Sequence, residues 1–437
     1  MKRYKEYKDS GVQWLGEVPS HWTISSVRSL VQEYVEKNKP EKTRELLALS
    51  YSLGVTLYRD KQFNMDRVKE NYEEYKIVHE NVLVVSPNDI IKGSAYVSKY
   101  YGCISPMYIT FKSRFEDTTY LLYLSYLLRT KQAGRTFFSL AKGLIGSILD
   151  NGKYVTRRMS VSRNDILSFK IAMPPLSEQK KILSYLESKT SKIDEYIAEK
   201  EKEVQLLNEL KEAEIAKVVT QGLYPNVKMK DSGISWIGMI PEHWDVKRIA
   251  SLFTGKVNTN SDFAYKHAFK FNYGTLVPKD EVGDAEEYRE TYVKYQVLRK
   301  DDILINGLNL NYDFVSQRVA IAPSDGIITS AYIVARPRKG TNADYYNYLF
   351  KAMDSKKLFH GMGTGIRLTL SFDELKKQIV VCPPIDEQQA IVAYINEKTA
   401  KVESLITVLQ AEIEHLKEYK QRLIADCVTG QVNVQNE

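Results

Sequence analysis

The sequence predicts an α+β fold in which two variable domains of mixed α/β structure are separated by two long α-helices that form an antiparallel coiled coil. Three observations in the 437-residue chain support this prediction. One motif occurs twice, a second motif follows each copy of the first, and a heptad-like apolar pattern follows each copy of the second. We therefore expect two halves related by a pseudo-twofold internal repeat.

The first duplicated motif opens each half of the chain. Residues 8–30 (KDSGVQWLGEVPSHWTISSVRSL) and 230–252 (KDSGISWIGMIPEHWDVKRIASL) are identical at 11 of 23 positions, at a constant spacing of 222 residues. All four tryptophans of the chain lie in these two segments. The repeated His-Trp pair could be a stacking platform, but its presence in both copies favours a packing role.

The second duplicated motif precedes two long stretches that lack proline. Residues 173–194 (MPPLSEQKKILSYLESKTSKID) match 382–403 (CPPIDEQQAIVAYINEKTAKVE) at a spacing of 209 residues. Paired prolines are typical of a helix start, and apolar residues at three- and four-residue steps follow in both copies. Each helix of about 45 residues would be roughly 65–70 Å long. Each could cover its neighbouring domain, but the length of the apolar strip favours pairing of the two helices.

These motifs divide the chain into four segments. We predict a first variable domain at residues 1–175, a first helical spacer at 176–223, a second variable domain at 224–384 and a second helical spacer at 385–437. Gly222 and Pro225 are expected to end the first helix. The residues shared between the variable domains are mainly aliphatic, Gly, Asp and Tyr, whereas the polar residues between them differ. Two copies of one scaffold with different polar surfaces should bind two different partners.

The charge distribution favours a polyanionic partner. The chain carries a net charge of +7, but the two helical segments are acidic, at −2 and −4, so the remainder carries +13. No apolar run is long enough to cross a membrane and no signal peptide precedes the first motif, so we expect a cytoplasmic protein without membrane contact. The three cysteines are expected to be buried small hydrophobes.

The two motifs, duplicated and in this order, resemble the specificity subunit of type I restriction–modification systems over nearly the whole chain. Members of that family share an opening of the form DSG-x-x-W-[IL]-G-x-[IV]-P-x-HW, matched at 9–22 and 231–244, and a PP-[LI]-x-EQ helix start, matched at 174–179 and 383–388. The resemblance implies that the two variable domains are target recognition domains, each binding one half of an asymmetric bipartite site on double-stranded DNA.

The same resemblance implies partners that carry the chemistry. The helical pair would act as a ruler between the half-sites and dock two adenine-specific methyltransferase subunits, which bring S-adenosylmethionine. Restriction and translocase subunits would join them. The chain itself would be a non-catalytic DNA-recognition subunit with no cofactor. A departure from the repeat lies in the first variable domain, where residues 142–158 are longer than their counterpart 360–367.

DNA-contact candidates are polar residues near expected loops, because Lys and Arg bind phosphates while Arg, Asn, Gln, Ser and Tyr reach base edges. Asn306–Asn311 is the sharpest stretch, since Asn pairs with adenine in the major groove. Arg158 and Arg367, shared between the copies, suit phosphate contacts. We expect Arg318→Ala and Lys270→Ala to flatten the salt dependence of binding. The first domain offers Tyr51, Ser52, Arg59, Lys61, Lys92, Lys99, Tyr100, Lys142, Lys153, Arg157 and Arg158; the second offers Lys256, Lys266, Lys270, Asn272, Tyr273, Lys279, Asn306, Asn309, Asn311, Arg318 and Arg367.

Enzymatic alternatives find little support in the sequence. There is no G-x-x-x-x-G-K-[ST] phosphate loop, the two Pro-Pro motifs lack the Asn or Asp and the aromatic residue of an adenine methyltransferase loop, and the six histidines show no metal-ligand spacing. The alternative from another class is a coiled-coil protein–protein scaffold without DNA affinity. The basic charge outside the helices argues mildly against it.

Overall fold

The computed structural model describes residues 2–51, 53–60, 71–143, 147–148, 154–155, 159–279, 285–312, 317–366 and 368–435. The chain forms two compact units. Unit 1 contains Met1–Glu201 together with Ala411–Glu437, and unit 2 contains Lys202–Gln410. Each unit therefore includes part of both long helices.

Unit 1 combines short strands, short helices and the first half of a long helix. Its helices are α1 (Val27–Leu30), α2 (Thr119–Leu128), α3 (Lys131–Leu140), α4 (Arg163–Ser168) and the start of α5 (Leu176–Gln221). Its strands are β1 (Tyr7–Asp9), β2 (Glu17–Pro19), β3 (Thr23–Ser26), β4 (Val31–Glu33), β5 (Glu36–Lys37), β6 (Leu47–Ser50), β7 (Gly54–Leu57), β8 (Lys76–Val78), β9 (Leu83–Val85), β10 (Ala95–Val97), β11 (Gly102–Ile104), β12 (Ile109–Ser113), β13 (Ser147–Ile148), β14 (Tyr154–Val155) and β15 (Lys170–Met173).

Unit 2 repeats part of this order of elements. Its helices are α6 (Ile249–Leu252), α7 (Arg289–Tyr292), α8 (Ala343–Ser355), α9 (Phe372–Leu375) and the start of α10 (Ile385–Val428). Its strands are β16 (Met229–Asp231), β17 (Met239–Pro241), β18 (Asp245–Arg248), β19 (Phe253–Thr254), β20 (Phe269–Asn272), β21 (Thr275–Pro278), β22 (Gln296–Leu298), β23 (Ile303–Ile305), β24 (Val319–Ile321), β25 (Gly326–Ile328), β26 (Ile333–Pro337) and β27 (Ile379–Cys382).

The two units share one sheet topology. A four-stranded antiparallel sheet has the order β4-β12-β9-β10 in unit 1 and β19-β26-β23-β24 in unit 2. The β6–β7 hairpin corresponds to β20–β21, and the antiparallel pair β3–β15 corresponds to β18–β27. The predicted α+β fold and internal repeat are confirmed.

The long helices run antiparallel in unit 1. Lys420 Nζ lies 2.6 Å from Asp194 Oδ1, and Lys200 Nζ lies 3.4 Å from Glu412 Oε2. Residue numbers therefore rise along α5 as they fall along α10.

The same arrangement holds in unit 2. Lys211 Nζ lies 3.5 Å from Glu403 Oε1, and the Tyr394 hydroxyl donates a 2.8 Å hydrogen bond to Glu214 Oε1. The predicted antiparallel pairing of the two helical segments is confirmed within both units.

Each domain packs against the start of one long helix and the end of the other. The core of unit 1 includes Ile182 near the start of α5 and Val428 at the end of α10. The hydroxyl of Tyr123 in α2 donates to Val428 O at 2.7 Å, and the hydroxyl of Tyr345 in α8 donates to Val219 O, near the end of α5, at 2.6 Å. The alternative in which each long helix covers only its own neighbouring domain does not agree with this packing.

The two sequence motifs meet at a buried carboxylate in unit 1. Glu178 of α5 is 4% exposed; its Oε1 accepts hydrogen bonds from the Tyr4 hydroxyl at 2.5 Å and from Trp22 Nε1 at 3.2 Å, and its Oε2 lies 2.8 Å from His21 Nε2. Burial raises the pKa of Glu178, but these hydrogen bonds outweigh burial and lower the pKa overall. The His-Trp pair thus ties the first strands to the helix start.

Unit 2 repeats this connection with fewer partners. Glu387 accepts from Trp244 Nε1 at 2.9 Å and lies 2.5 Å from His243 Nε2. Asn226 stands where the repeat places Tyr4 of unit 1. Because both tryptophans are fully buried, the packing role predicted for the repeated His-Trp pair is confirmed.

Cys103 and Cys427 are buried as predicted, whereas Cys382 is only partly buried. Over the described residues, no helix combines the length and the apolar character that a bilayer crossing requires.

Candidate nucleic-acid interface

The candidates of unit 1 that the structure describes lie on surface turns. Tyr51, at the tip of the β6–β7 hairpin, is 57% exposed, and its carbonyl accepts a 2.6 Å hydrogen bond from the hydroxyl of Tyr96 on β10. This bond ties the hairpin tip to the strand that precedes the exposed residues Lys99 and Tyr100. Tyr51 therefore lies beside the strand that leads to Lys99 and Tyr100.

Three further candidates of unit 1 lie apart from that contact. Lys92 ends a 3₁₀ turn and Lys142 pairs through its backbone with Ser160; both side chains are exposed. Arg59 forms a 3.3 Å ion pair with Glu45. Arg59 therefore has to exchange a carboxylate for a phosphate if it binds DNA. The candidates Ser52, Lys61, Lys153, Arg157 and Arg158 lie outside the described residues.

In unit 2 the β20–β21 hairpin presents three candidates together. Lys270 and Asn272 are exposed residues of β20, and Tyr273 at the tip is 75% exposed with a φ of 41°. Alternation along the strand places Lys270 and Asn272 on the same face, opposite the buried Phe269. This hairpin can therefore offer a cation and an amide to one ligand.

The remaining lysine candidates of unit 2 have mixed surroundings. Lys256 is exposed, whereas Lys266 lies 3.3 Å from Glu286. Lys279 is partly buried, and its Nζ lies 5.6–5.8 Å from the centroids of three tyrosine rings, among them that of Tyr292. Lys279 thus helps to hold this aromatic cluster together.

The polar surface differs between the units at equivalent positions. Where unit 2 has Lys256, unit 1 has Tyr34. Tyr34 belongs to a hydrogen-bonded cluster around Glu36. Glu36 accepts from Lys42 at 2.6 Å, lies 2.9 Å from His79 Nε2 and also binds the Tyr34 hydroxyl. Hydrogen bonds from Lys42, Tyr34 and His79 lower the pKa of Glu36 to about 2. The duplicated scaffold therefore carries unlike electrostatics here.

The predicted asparagine stretch forms a loop between β23 and β24. The side chain of Asn306 is used internally, because its Oδ1 accepts from Leu308 N at 3.2 Å. Asn309 and Asn311 are exposed, and Asn309 has a φ of 49°, a conformation that Asn tolerates better than most residues. Two of the three asparagines are thus placed for an external contact.

Arg318 differs from the other candidates because it is buried. Arg318 is only 8% exposed, and its guanidinium donates to the carbonyls of Asn306, Leu308 and Asn309 at 3.0, 2.8 and 3.3 Å. A direct phosphate contact does not suit a buried group that is engaged in this way. In the structure Arg318 instead holds the loop. Arg367, which the repeat pairs with Arg158, lies outside the described residues.

Two buried asparagines were missed by the sequence interpretation. Asn38 Nδ2 donates to Thr43 O and Tyr72 O at 2.8 and 3.0 Å, and Asn260 Nδ2 donates to Tyr265 O and Tyr292 O at 2.8 and 3.3 Å. Both residues are fully buried. Their spacing of 222 residues equals that of the first motif, and this signal could have identified them.

Metal binding finds no support in the part of the chain that the structure describes, where no group of three or more His, Cys, Asp or Glu side chains could hold an ion. The cations, amides and tyrosines above instead offer hydrogen-bond donors to an anionic ligand.

Comparisons with known proteins agree with the fold. Residues 241–415 match the family described as type I restriction modification DNA specificity domain. The chain is 21% identical over 433 residues to a putative type I restriction enzyme MjaX specificity subunit of Methanocaldococcus jannaschii, covering 96% of each chain. It is 23% identical to the type I restriction enzyme MjaVIII specificity subunit of the same organism, covering 100% of this chain and 98% of the relative.

A solved structure that concerns complex assembly and conformational transition of a type I R-M system has the same fold. Its matching chain is 14% identical, the alignment covers 95% of this chain and 99% of that chain, and the TM-score is 0.64. The resemblance predicted from the duplicated motifs is therefore confirmed in both sequence and fold.

Proposed function

We propose that this chain is a type I restriction–modification specificity subunit, a non-catalytic DNA-recognition subunit, and that it binds an asymmetric bipartite site on double-stranded DNA. Unit 1 binds one half-site and unit 2 binds the other. The observation that carries the proposal is that one duplicated scaffold presents unlike polar surfaces, such as Lys256 in unit 2 against the Glu36 cluster in unit 1.

In this proposal the chain directs partner subunits to the site. The partners are two adenine-specific methyltransferase subunits and, for restriction, nuclease and translocase subunits, all acting in the cytoplasm. Apolar side chains on the helices of unit 2 support such docking, because Leu206, Leu210 and Val408 are 53%, 66% and 61% exposed. Exposed apolar groups that lie close together are typical of protein interfaces.

The residues proposed to contact DNA are the exposed candidates of each unit. Lys92, Lys99, Tyr100, Lys142 and Tyr51 serve unit 1, and Lys256, Lys270, Asn272, Tyr273, Asn309 and Asn311 serve unit 2. Lysines would neutralise phosphates and fix the position of the duplex, while amides and tyrosines would reach base edges.

Sequencing of methylated adenines in the host, with and without this gene, tests the proposal. We expect a two-part motif that disappears with the gene. The purified complex with its methyltransferase should then bind a duplex that contains both halves more tightly than a duplex with either half scrambled. A chain that supports complex assembly but binds no duplex at low salt would favour the protein–protein scaffold instead.

A further inference from the structure

The hairpin at the edge of the four-stranded sheet differs between the two units. In unit 1 it closes where Ser86 N donates to Ser94 O at 3.0 Å; in unit 2 it closes where Asn306 N donates to Arg318 O at 2.8 Å. Seven residues lie between the closing pair in unit 1 and eleven in unit 2. Unit 2 thus has a loop four residues longer, and an arginine replaces the serine at its base.

The shorter loop of unit 1 is held by local contacts. Asp89 N donates to Ser86 Oγ at 3.2 Å, and Ser94 N donates to Asp89 O at 3.1 Å. Helix α3 covers its 3₁₀ turn closely, since a side chain at Gly134 would collide with the carbonyl of Ile91. This loop needs no arginine to keep its shape.

The longer loop of unit 2 is held from inside by Arg318. The guanidinium binds three loop carbonyls, and the Arg318 backbone N donates to Asp354 Oδ2 of α8 at 2.7 Å. A second anchor is Leu310, which is fully buried and whose N donates to Leu368 O at 3.1 Å. Gly307 packs so closely on Leu370 O that a Cβ would not fit there. Residues 306–310 of the loop are therefore fixed at several points.

The outer side of the loop presents two amides. Asn309 and Asn311 are exposed, and over the described residues neither side-chain amide forms a hydrogen bond. The loop also lies beside the β20–β21 hairpin, since a Cβ on Gly274 would be 3.6 Å from the Cβ of Gln317. That hairpin carries Lys270, so unit 2 offers both a cation suited to a phosphate and amides suited to bases.

We propose that Asn309 and Asn311 read bases in the half-site bound by unit 2, and that Arg318 is the positioning residue that holds them in the reading conformation. The inference rests on the proposed function and names the residues that carry it in unit 2. Because the Asn carboxamide pairs with N6 and N7 of adenine, this half-site contains at least one A·T pair read in the major groove.

A residue that binds a phosphate and a residue that only positions other residues differ in their effect on the salt dependence of DNA binding. A residue that binds a phosphate contributes about 0.9 to the slope of log K against log salt, whereas a residue that only shapes a loop contributes nothing to that slope. Arg318→Ala should therefore lower the preference for the intact half-site without changing the slope. Lys270→Ala should weaken binding to intact and scrambled half-sites alike and reduce the slope by about 0.9.

The experiment uses the full chain in complex with its methyltransferase partner. DNA affinity is measured for four variants: Asn309→Ala, Asn311→Ala, Arg318→Ala and Arg318→Lys. The duplexes carry either the intact two-part motif found by methylation sequencing or the same motif with one half scrambled, and each is tested at several salt concentrations. Matched controls are Asn226→Ala and Arg338→Ala, which remove an exposed amide and an exposed guanidinium elsewhere in unit 2.

Each asparagine variant should lose roughly five- to a hundredfold of the preference for the intact unit 2 half-site and keep the preference for the other half-site. Arg318→Lys should retain part of the preference, because an ammonium still donates to the loop carbonyls. Preferences unchanged in both asparagine variants, or a slope reduced by about one in Arg318→Ala, would overturn the inference. If Arg318→Ala does not fold, the results for Arg318→Lys and for the two asparagine variants decide whether the inference holds. A wild-type complex without preference for either half would refute the proposed function itself.

Discussion

Removal of the carboxylate that joins the two motifs should lower the free energy of unfolding by different amounts in the two units. The perturbations are Glu178→Ala and Glu387→Ala. Both residues occupy the third position of a long helix, so both variants lose the same interaction with the helix dipole. The difference between the two variants therefore isolates the surroundings of the carboxylates.

The two carboxylates differ in the number of their hydrogen bonds and in their burial. Glu178 is 4% exposed and is bound by Tyr4, His21 and Trp22, with Gln435 as a further donor, whereas the side chain of Glu387 is 24% exposed and is bound by His243 and Trp244. Loss of a buried charge partner that leaves donors unsatisfied costs about 3–5 kcal/mol, the value we expect for Glu178→Ala. A hydrogen bond to a charged group contributes about 1.5–3 kcal/mol, so Glu387→Ala should cost less by at least that amount.

The Tyr4 hydroxyl supplies one bond that Glu387 lacks, and a double-mutant cycle can isolate its contribution. Tyr4→Phe should cost about 1.5–3 kcal/mol in the wild type and much less in Glu178→Ala, where its acceptor is already absent. The assay is hydrogen exchange followed by mass spectrometry, in which amides of the buried strands β9 and β23 report the stability of unit 1 and unit 2 separately.

Glu187→Ala is the matched control, because Glu187 is an exposed residue of the same helix. Its cost in unit 1 should stay below about 0.5 kcal/mol. Equal costs for Glu178→Ala and Glu387→Ala in their own units, or a control as damaging as Glu178→Ala, would refute the account of the motifs given above.

Three further predictions concern charges in the fold. The pKa of Glu178 is lowered in the folded state, so its stabilisation is present above the unfolded value of about 4.3 and is lost as pH falls through the lower folded pKa; the difference in urea midpoint between wild type and Glu178→Gln should therefore shrink as pH falls below the unfolded value. Asp302 is 1% exposed and binds Arg336 at 2.7 Å, so Asp302→Val should lower the free energy of unfolding by about 3–5 kcal/mol. Adding Arg336→Leu should restore most of that stability, and a double variant as unstable in urea as the single variant would contradict this. The exposed pair of Lys420 and Asp194 should contribute less than about 1 kcal/mol, so a large change in thermal midpoint for Lys420→Ala would be unexpected.

The repeat made much of the fold predictable. A constant spacing of 222 residues aligned the two copies of the first motif, and the same spacing relates Tyr123 to Tyr345 and Asn38 to Asn260, which hold equivalent positions in the structure. Scaffold positions keep their identity because a buried polar group must find the same partners in both copies.

The candidate site was less predictable, because exposure and bonding depend on contacts between distant residues. Arg318 and Lys270 look alike in sequence as basic residues near a loop. Arg318 is nevertheless buried by Asp354 and the loop carbonyls, while Lys270 stands on the outer face of a hairpin. No local pattern distinguishes the two, since the partner carboxylate lies 36 residues away on another helix.

The way the domains pack on the long helices also escaped the local pattern. Heptad periodicity indicated that the two helices pair, but it could not show that the end of α10 closes unit 1 and the end of α5 closes unit 2. This arrangement follows from antiparallel pairing of two helices that each begin beside their own domain. The end of each helix then meets the start of the other, and the domain at that start buries both. Duplication of one half therefore builds two units that each require residues from both halves of the chain.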